Sequence, residues 1–214
     1  MKAIIFDFDG TLADSLILGL EGVNELAPKF KYQPIKDTDY IRKKGMRKIL
    51  KEDLKLKWYQ LPGYVRALKK VLLPKLDELE LYEGLPEIIR ALDGKVRLFI
   101  LTSNIRKAVD HMIKKYELDY FETTFTNIPA FRKHRILKRL LKRYHLSPDQ
   151  VLYIGDEVRD VNACRKIGVP VVGVSWGLND HDALAKAEAN YIVDTPQELL
   201  SLLESKLKAY ANES

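Results

Sequence analysis

Residues 6–15 read FDFDGTLADS, and they follow the apolar run Ala3-Ile4-Ile5. A strand of that composition belongs in a core. Yet it runs into two carboxylates, Asp7 and Asp9, and then into Gly10. An unpaired carboxylate is costly to desolvate, so two of them at the end of a core strand need a chemical reason.

The rest of the sequence alternates between two periods. Short apolar runs at 2–7 (KAIIFD), 96–102 (VRLFILT), 151–155 (VLYIG), 170–175 (PVVGVS) and 190–193 (NYIV) predict strands, with 121–126 (FETTFT) a weaker candidate. Near-continuous apolar runs suit a parallel sheet buried on both faces. Between them, Ile105, Val109, Met112, Ile113 and Tyr116 fall at helical spacing behind Ser103 and Asn104. Ile136, Leu137, Leu140, Leu141 and Tyr144 do the same, as do Val161, Cys164 and Ile167, and then Leu199, Leu203 and Leu207. Strand and helix alternating in this way predict an α/β, doubly wound parallel sheet of Rossmann-like form. From 15 to 79 the rhythm breaks: no strand pattern is visible, Lys and Leu abound, and Pro28, Pro34, Pro62 and Pro74 punctuate. The expected organisation is therefore a core of 1–14 and 80–214 with a small helical insertion over 15–79, hinged near 13–15 and 81–84. The tail after about residue 208 is expected to fray.

Composition narrows the function. The chain has 214 residues, 46% hydrophobic and 31% charged, with a net charge of +6, which fits a globular protein with a sizeable core. Acidic residues are dispersed through it, so the positive balance suits an anionic small molecule better than nucleic acid. The one cysteine, Cys164, excludes an intrachain disulfide and fits a reducing compartment. Asp7 and Asp9 interrupt any signal-peptide core, and no apolar run reaches the ~18 residues of a membrane span. The expectation is a cytoplasmic protein, monomer or homodimer, with no membrane partner.

Ligands of open α/β sheets bind beyond the carboxyl ends of the strands. There the sequence places Asp7, Asp9, Gly10 and Thr11; then Thr102, Ser103 and Asn104; then Arg132, Lys133 and His134; then Asp156, Glu157 and Asp160. Carboxylates, hydroxyls and a cation at one sheet edge suit Mg²⁺, which takes one or two carboxylates together with water and substrate phosphate. A carboxylate can also serve as nucleophile and carry a phosphoryl group.

FDFDGTL (6–12), LTSN (101–104), Lys133 and GDEVRD (155–160) resemble, in order and spacing, the four motifs of the haloacid dehalogenase superfamily. The resemblance covers nearly the whole chain. It is closest to the phosphatase branch with a helical C1-type cap and is phosphoglycolate-phosphatase-like, a likeness shared by YEGLPEIIRAL (82–92). It implies a Mg²⁺-dependent phosphatase acting on a small phosphorylated metabolite through an aspartyl-phosphate. It implies Asp7 as nucleophile and Asp9 as general acid/base, with Ser103 and Lys133 completing the catalytic set. Gly10, Thr11, Ser103, Asn104 and Lys133 would hold the phosphate. Asp7, the main-chain carbonyl of Asp9, and Asp156 would hold the metal, with Glu157 and Asp160 behind them. Two departures stand out: His134 sits where many relatives have proline, and Arg132 rivals Lys133 for the cationic role. Asp9 disfavours dehalogenase chemistry. Two alternatives share the scaffold, a phosphomutase and an inactive phosphate-binding module.

Other features have simpler explanations. Cys164 belongs in the core; His111 and His145 belong on the surface. His181, in NDHD (179–182), belongs to a polar loop, and Asn104 can serve as a helix cap. Trp58 and Tyr59 are expected to pack within the insertion. The basic run RKKGMRK (42–48) is expected to be solvated, with an anionic leaving group meeting Arg42, Lys43, Lys44 and Arg47 as the alternative.

Overall fold

The computed structural model describes residues 1–44, 48–129 and 132–213. Six strands form one parallel sheet: β1 (Ala3–Phe6), β2 (Arg97–Leu101), β3 (Phe121–Phe125), β4 (Val151–Gly155), β5 (Val171–Val174) and β6 (Tyr191–Val193), in the spatial order β3-β2-β1-β4-β5-β6. The chain order reverses at β1, whose neighbours are β2 on one side and β4 on the other. Such a switch point opens a crevice at the carboxyl ends of the two strands. Asp7 and Asp156 follow β1 and β4 directly, so the topology places both at the crevice.

Alternate residues of each strand serve opposite faces, as strand geometry requires. Ile4, Phe6, Leu98, Ile100, Leu152, Ile154 and Val172 pack on one side with Ile88, Ile89, Val109, Met112, Leu199 and Leu203. Those residues come from the helices α4 (Leu85–Leu92), α5 (Arg106–Tyr116) and α9 (Pro196–Glu213). Ala3, Ile5, Phe99, Leu101, Tyr153 and Val171 pack on the other with Leu137, Leu140, Val161, Cys164 and Leu184. These belong to α6 (Lys133–Arg143), α7 (Val158–Arg165) and α8 (His181–Lys186). The apolar runs are continuous because both faces are covered. The weak strand at 121–126 is real and lies at the sheet edge, which explains its polar alternation. Helix α9 continues to Glu213, so the chain stays helical beyond 208.

Between residues 16 and 78 the described elements are all helical: α1 (Leu16–Phe30), α2 (Thr38–Lys44), a π-helical turn (Ile49–Asp53), α3 (Leu61–Leu72) and a 3₁₀ stretch (Leu73–Glu78). They enclose a separate apolar cluster of Val23, Leu26, Ile41, Ile49, Leu54 and Tyr64. Gly22 lets α1 and α3 approach, because a Cβ there would lie 2.6 Å from Leu72 Cδ2. The two chain segments leading into and out of this unit run side by side: Ala13 bridges Leu81, Asp14 N–H donates to Glu80 O (2.9 Å) and Tyr82 N–H donates to Leu12 O (3.0 Å). The exit segment is also tied to α5, since Lys115 Nζ donates to Asp77 O (3.0 Å), Leu79 O (2.9 Å) and Glu80 (2.7 Å). Trp58 and Tyr59 do not pack inside the unit; they are 82% and 59% exposed. Their aromatic character suggested burial, but they precede α3 at a turn, on the outer surface.

Phe99 is fully buried in β2 and its ring meets Tyr144 at 4.7 Å between centroids. Phe99→Ala is expected to cost about 3–5 kcal/mol, read as a lowered urea midpoint. A loss under about 1 kcal/mol would contradict this placement of the core.

Candidate active site

Lys133 begins α6 and is one of the few charged residues in the interior, at 1% exposure. A lone ammonium would not be tolerated there. Its Nζ donates to Asp7 Oδ2, to Asp160 Oδ1 (2.7 Å) and to the Tyr153 hydroxyl (3.3 Å). All three of its protons are thereby used. Burial pulls the ammonium pKa down, but the Asp160 and Asp7 carboxylates more than reverse this and hold it above its ordinary value. Arg132, the rival cation, is exposed and precedes the helix.

Asp7 also accepts the Phe8 N–H at 2.7 Å. Burial pushes its carboxyl well above the usual range; Lys133 opposes the shift, while Asp160 and Asp156 reinforce it. Asp156 is held by Thr11 Oγ1 (3.0 Å) on one oxygen and by Leu178 N–H (2.8 Å) on the other. Burial, with Asp160 nearby, raises it to about 6. Glu157, paired with Arg159, is pushed by burial to about 8, against the pull of that arginine.

One oxygen from each of Asp7, Asp156 and Asp160 lies within 4.8 Å of the others. Asp160 Oδ2 is buried and has no hydrogen-bond partner. Three carboxylates against one ammonium leave an excess of two negative charges, and the donor set is all oxygen. These residues fit a hard dication. A bound dication would also offset the burial that raises Asp7 and Asp156.

Asp9 stands beside this cluster. Its Oδ1 accepts from Asn104 Nδ2 at 2.8 Å, and Asn104 Oδ1 accepts the Ile105 N–H (2.7 Å) at the start of α5. Asn104 therefore supports the helix entry and orients Asp9 with the same amide. Burial raises the Asp9 pKa, moderated by hydrogen bonds from Asn104 and Ser15. Ser103 lies in the same loop after β2, half-buried, and shares no described hydrogen bond with Asp7 or Lys133. Gly10 has φ +71°, and a Cβ there would strike the Asp156 carboxylate; only glycine permits that approach.

The loop after β5 was not visible as part of the site. Leu178 N–H and Asn179 N–H (3.2 Å, to Asp156 O) fix Asp156, Asn179 Oδ1 takes the Val158 N–H (2.9 Å), and Trp176 Nε1 donates to Thr11 O (3.2 Å). Gly177 presses on the Gly10 carbonyl and Asp156 so closely that a Cβ would overlap both. Main-chain donors leave no residue-type signature, and Gly177 was the available hint. His181 begins α8 and pairs with Asp194 at 3.0 Å, away from the site.

The basic run divides. Arg42 reaches the core, donating from Nη2 to Trp176 O at 2.8 Å. Lys44 pairs with Asp53 (2.7 Å), and Lys43 is exposed. Arg47, with Gly45 and Met46, lies outside the described residues.

The doubly wound sheet thus brings three acids and a buried lysine together at its switch point. Residues 4–174 match the haloacid dehalogenase-like hydrolase family, and the chain belongs to it. A phosphoglycolate phosphatase from Synechococcus elongatus is 34% identical over 212 residues, covering 97% of this chain and all of that one. Two solved structures share the fold. A predicted phosphatase from Clostridium acetobutylicum has TM-score 0.83 and 22% identity over 95% of this chain and 98% of that one. A haloacid dehalogenase-like protein from Streptococcus pneumoniae has TM-score 0.79 and 24% identity over the same shares. Among the described residues no helix is long and apolar enough to cross a membrane.

Asp156→Asn preserves both hydrogen bonds if the amide oxygen takes the Leu178 N–H and the amide donates to Thr11. It removes a buried charge. The wild-type carboxyl, raised to about 6 from 3.8, binds more protons folded than unfolded between those values, so its contribution to stability falls as pH rises through that window. In EDTA, Asp156→Asn should be more stable than wild type at pH 7.5, by about 3 kcal/mol, with the difference vanishing near pH 4. Calorimetry that finds the mutant less stable at pH 7.5 would contradict this electrostatic account.

Proposed function

We propose that the chain is a Mg²⁺-dependent phosphatase that hydrolyses a small phosphomonoester through a phosphoaspartate on Asp7. The observation that carries this reading is the contact of buried Lys133 with Asp7, beside Asp156 and Asp160 at the switch point. In the first step an Asp7 carboxylate oxygen attacks phosphorus. The ester P–O bond breaks, and Asp9 gives its proton to the departing alkoxide. Burial raises its pKa, the direction that favours proton donation by a general acid. In the second step Asp9 takes a proton from water, which attacks phosphorus and releases inorganic phosphate, restoring Asp7.

Lys133 neutralises the transferring group, and Ser103 with the turn at Gly10 and Thr11 positions its oxygens. Phosphoryl transfer depends chiefly on such positioning and charge balance. Asp7, Asp156 and the Asp9 carbonyl would hold Mg²⁺, which supplies Lewis-acid stabilisation of phosphoryl oxygens. Asp160 fixes Lys133, and Glu157 lies behind Asp156. Residues 15–79 act as a cap domain on the core formed by 1–14 and 80–214. Their separate apolar cluster, adjacent linkers and contact through Arg42 support this. A cap excludes water while the ester is cleaved.

Asp7→Asn should lower kcat on p-nitrophenyl phosphate by about 10⁴-fold or more with retained circular dichroism, since Lys133 keeps Asp160. Near wild-type rates in a protein checked for deamidation would remove Asp7 from the nucleophile's role. EDTA should silence the wild type and Mg²⁺ restore it; full activity in EDTA, with bound metal excluded by elemental analysis, would defeat the metal assignment.

A further inference from the structure

The loop that holds Asp156 is itself held by the insertion. Leu178 N–H donates to Asp156 Oδ2 (2.8 Å), while the Leu178 side chain packs against the insertion's apolar cluster. Two residues earlier, the Trp176 carbonyl accepts from Arg42 Nη2 of α2 (2.8 Å). The Trp176 indole meets the core instead: Nε1 donates to Thr11 O (3.2 Å), and Thr11 Oγ1 donates to Asp156 Oδ1 (3.0 Å). Between these two residues Gly177 is buried, and it lies so close to Gly10 O and Asp156 that a Cβ would overlap both. The loop therefore has little room to shift without moving Asp156. The same three residues touch the insertion on one side and the acid on the other.

We propose that Arg42 and Leu178 are positioning residues for the metal site: through the 176–178 loop, the seating of the insertion on the core sets the orientation of Asp156 and so the affinity for a divalent cation. The inference rests on the reading of Asp156 as a metal ligand. With the insertion seated, both Asp156 oxygens face fixed donors, Leu178 N–H and Thr11 Oγ1, and each oxygen keeps a lone pair for a cation. Without Arg42 or the Leu178 side chain the loop loses an anchor, and the carboxyl gains freedom that cation binding must remove. Coupling of this kind is reciprocal: occupancy of the metal site favours the seated insertion by the same factor. Charge alone gives the opposite sign. Arg42 is a cation, and its removal relieves repulsion toward a dication and tightens binding; the coupling weakens it.

The test uses Mn²⁺, which like Mg²⁺ suits octahedral oxygen sites, on the full-length protein without substrate. Bound Mn²⁺ is counted from the electron-spin-resonance signal of the free ion. Arg42→Ala and Leu178→Ala should each raise the Mn²⁺ Kd by about fivefold or more, the lower end of ordinary coupling between sites, with circular dichroism unchanged. Lys43→Ala, which removes an exposed charge from the same helix, should leave the Kd as it is. In the reciprocal measurement, Mg²⁺ should slow amide hydrogen exchange in α2 of the wild type and have less effect in either variant. Unchanged or tighter Mn²⁺ binding in folded Arg42→Ala or Leu178→Ala would overturn the coupling while leaving the metal site in place. A wild type that binds no Mn²⁺ would instead overturn the metal reading itself.

Discussion

The ammonium of Lys133 is surrounded by oxygens drawn from three parts of the chain. Asp7 follows β1, Tyr153 lies in β4, Asp160 belongs to α7, and Lys133 itself opens α6. Burying a cation is tolerable only with such partners, so the position of α6 against the sheet is set by charge as well as by Leu137, Leu140 and Leu141. The same contact directs Asp7. One of its oxygens is held by Lys133 and the other by the Phe8 N–H, which leaves the carboxyl little rotational freedom. Orientation of a reacting group before substrate arrives is the main source of rate in phosphoryl transfer.

This arrangement carries an electrostatic cost. Asp7, Asp156 and Asp160 outnumber the lysine, and burial raises the first two. Close packing keeps them together nonetheless. Gly10 and Gly177 admit main chain where any side chain would collide with Asp156, and the 176–179 loop donates two N–H groups to that residue. Gly155 similarly makes room for Asp160, since a Cβ there would lie 2.8 Å from its Oδ2. The fold thus holds negative charge that a dication and a substrate's surroundings would compensate, as functional sites commonly do at the expense of stability.

Much of this was legible in the sequence, for identifiable reasons. The inner strands were visible because double burial makes them almost wholly apolar, and even the edge strand β3 left a trace in FETTFT. The acids were visible because Asp7 and Asp156 interrupt such runs at their ends. What was hidden is tertiary. Nothing in Trp176 or Leu178 indicates that main-chain groups beside them meet Thr11 and Asp156. Trp58 and Tyr59 looked like packing residues because aromatic rings usually are, but their turn faces outward. Arg42 resembled its basic neighbours in RKKGMRK, yet only the fold brings it to the Trp176 carbonyl. Asn104 was expected to cap a helix, and its second contact, with Asp9, depends on β1 and β2 being adjacent.

The central claim is that Asp7 becomes phosphorylated during turnover. The direct measurement is mass spectrometry of acid-quenched protein after a single turnover of a hydrolysable ester. The account predicts a phosphoryl group on the peptide containing Asp7, removed by hydroxylamine and absent from Asp7→Asn. Release of inorganic phosphate with no adduct on Asp7 at any quench time shorter than turnover, or an adduct on another residue, would contradict it.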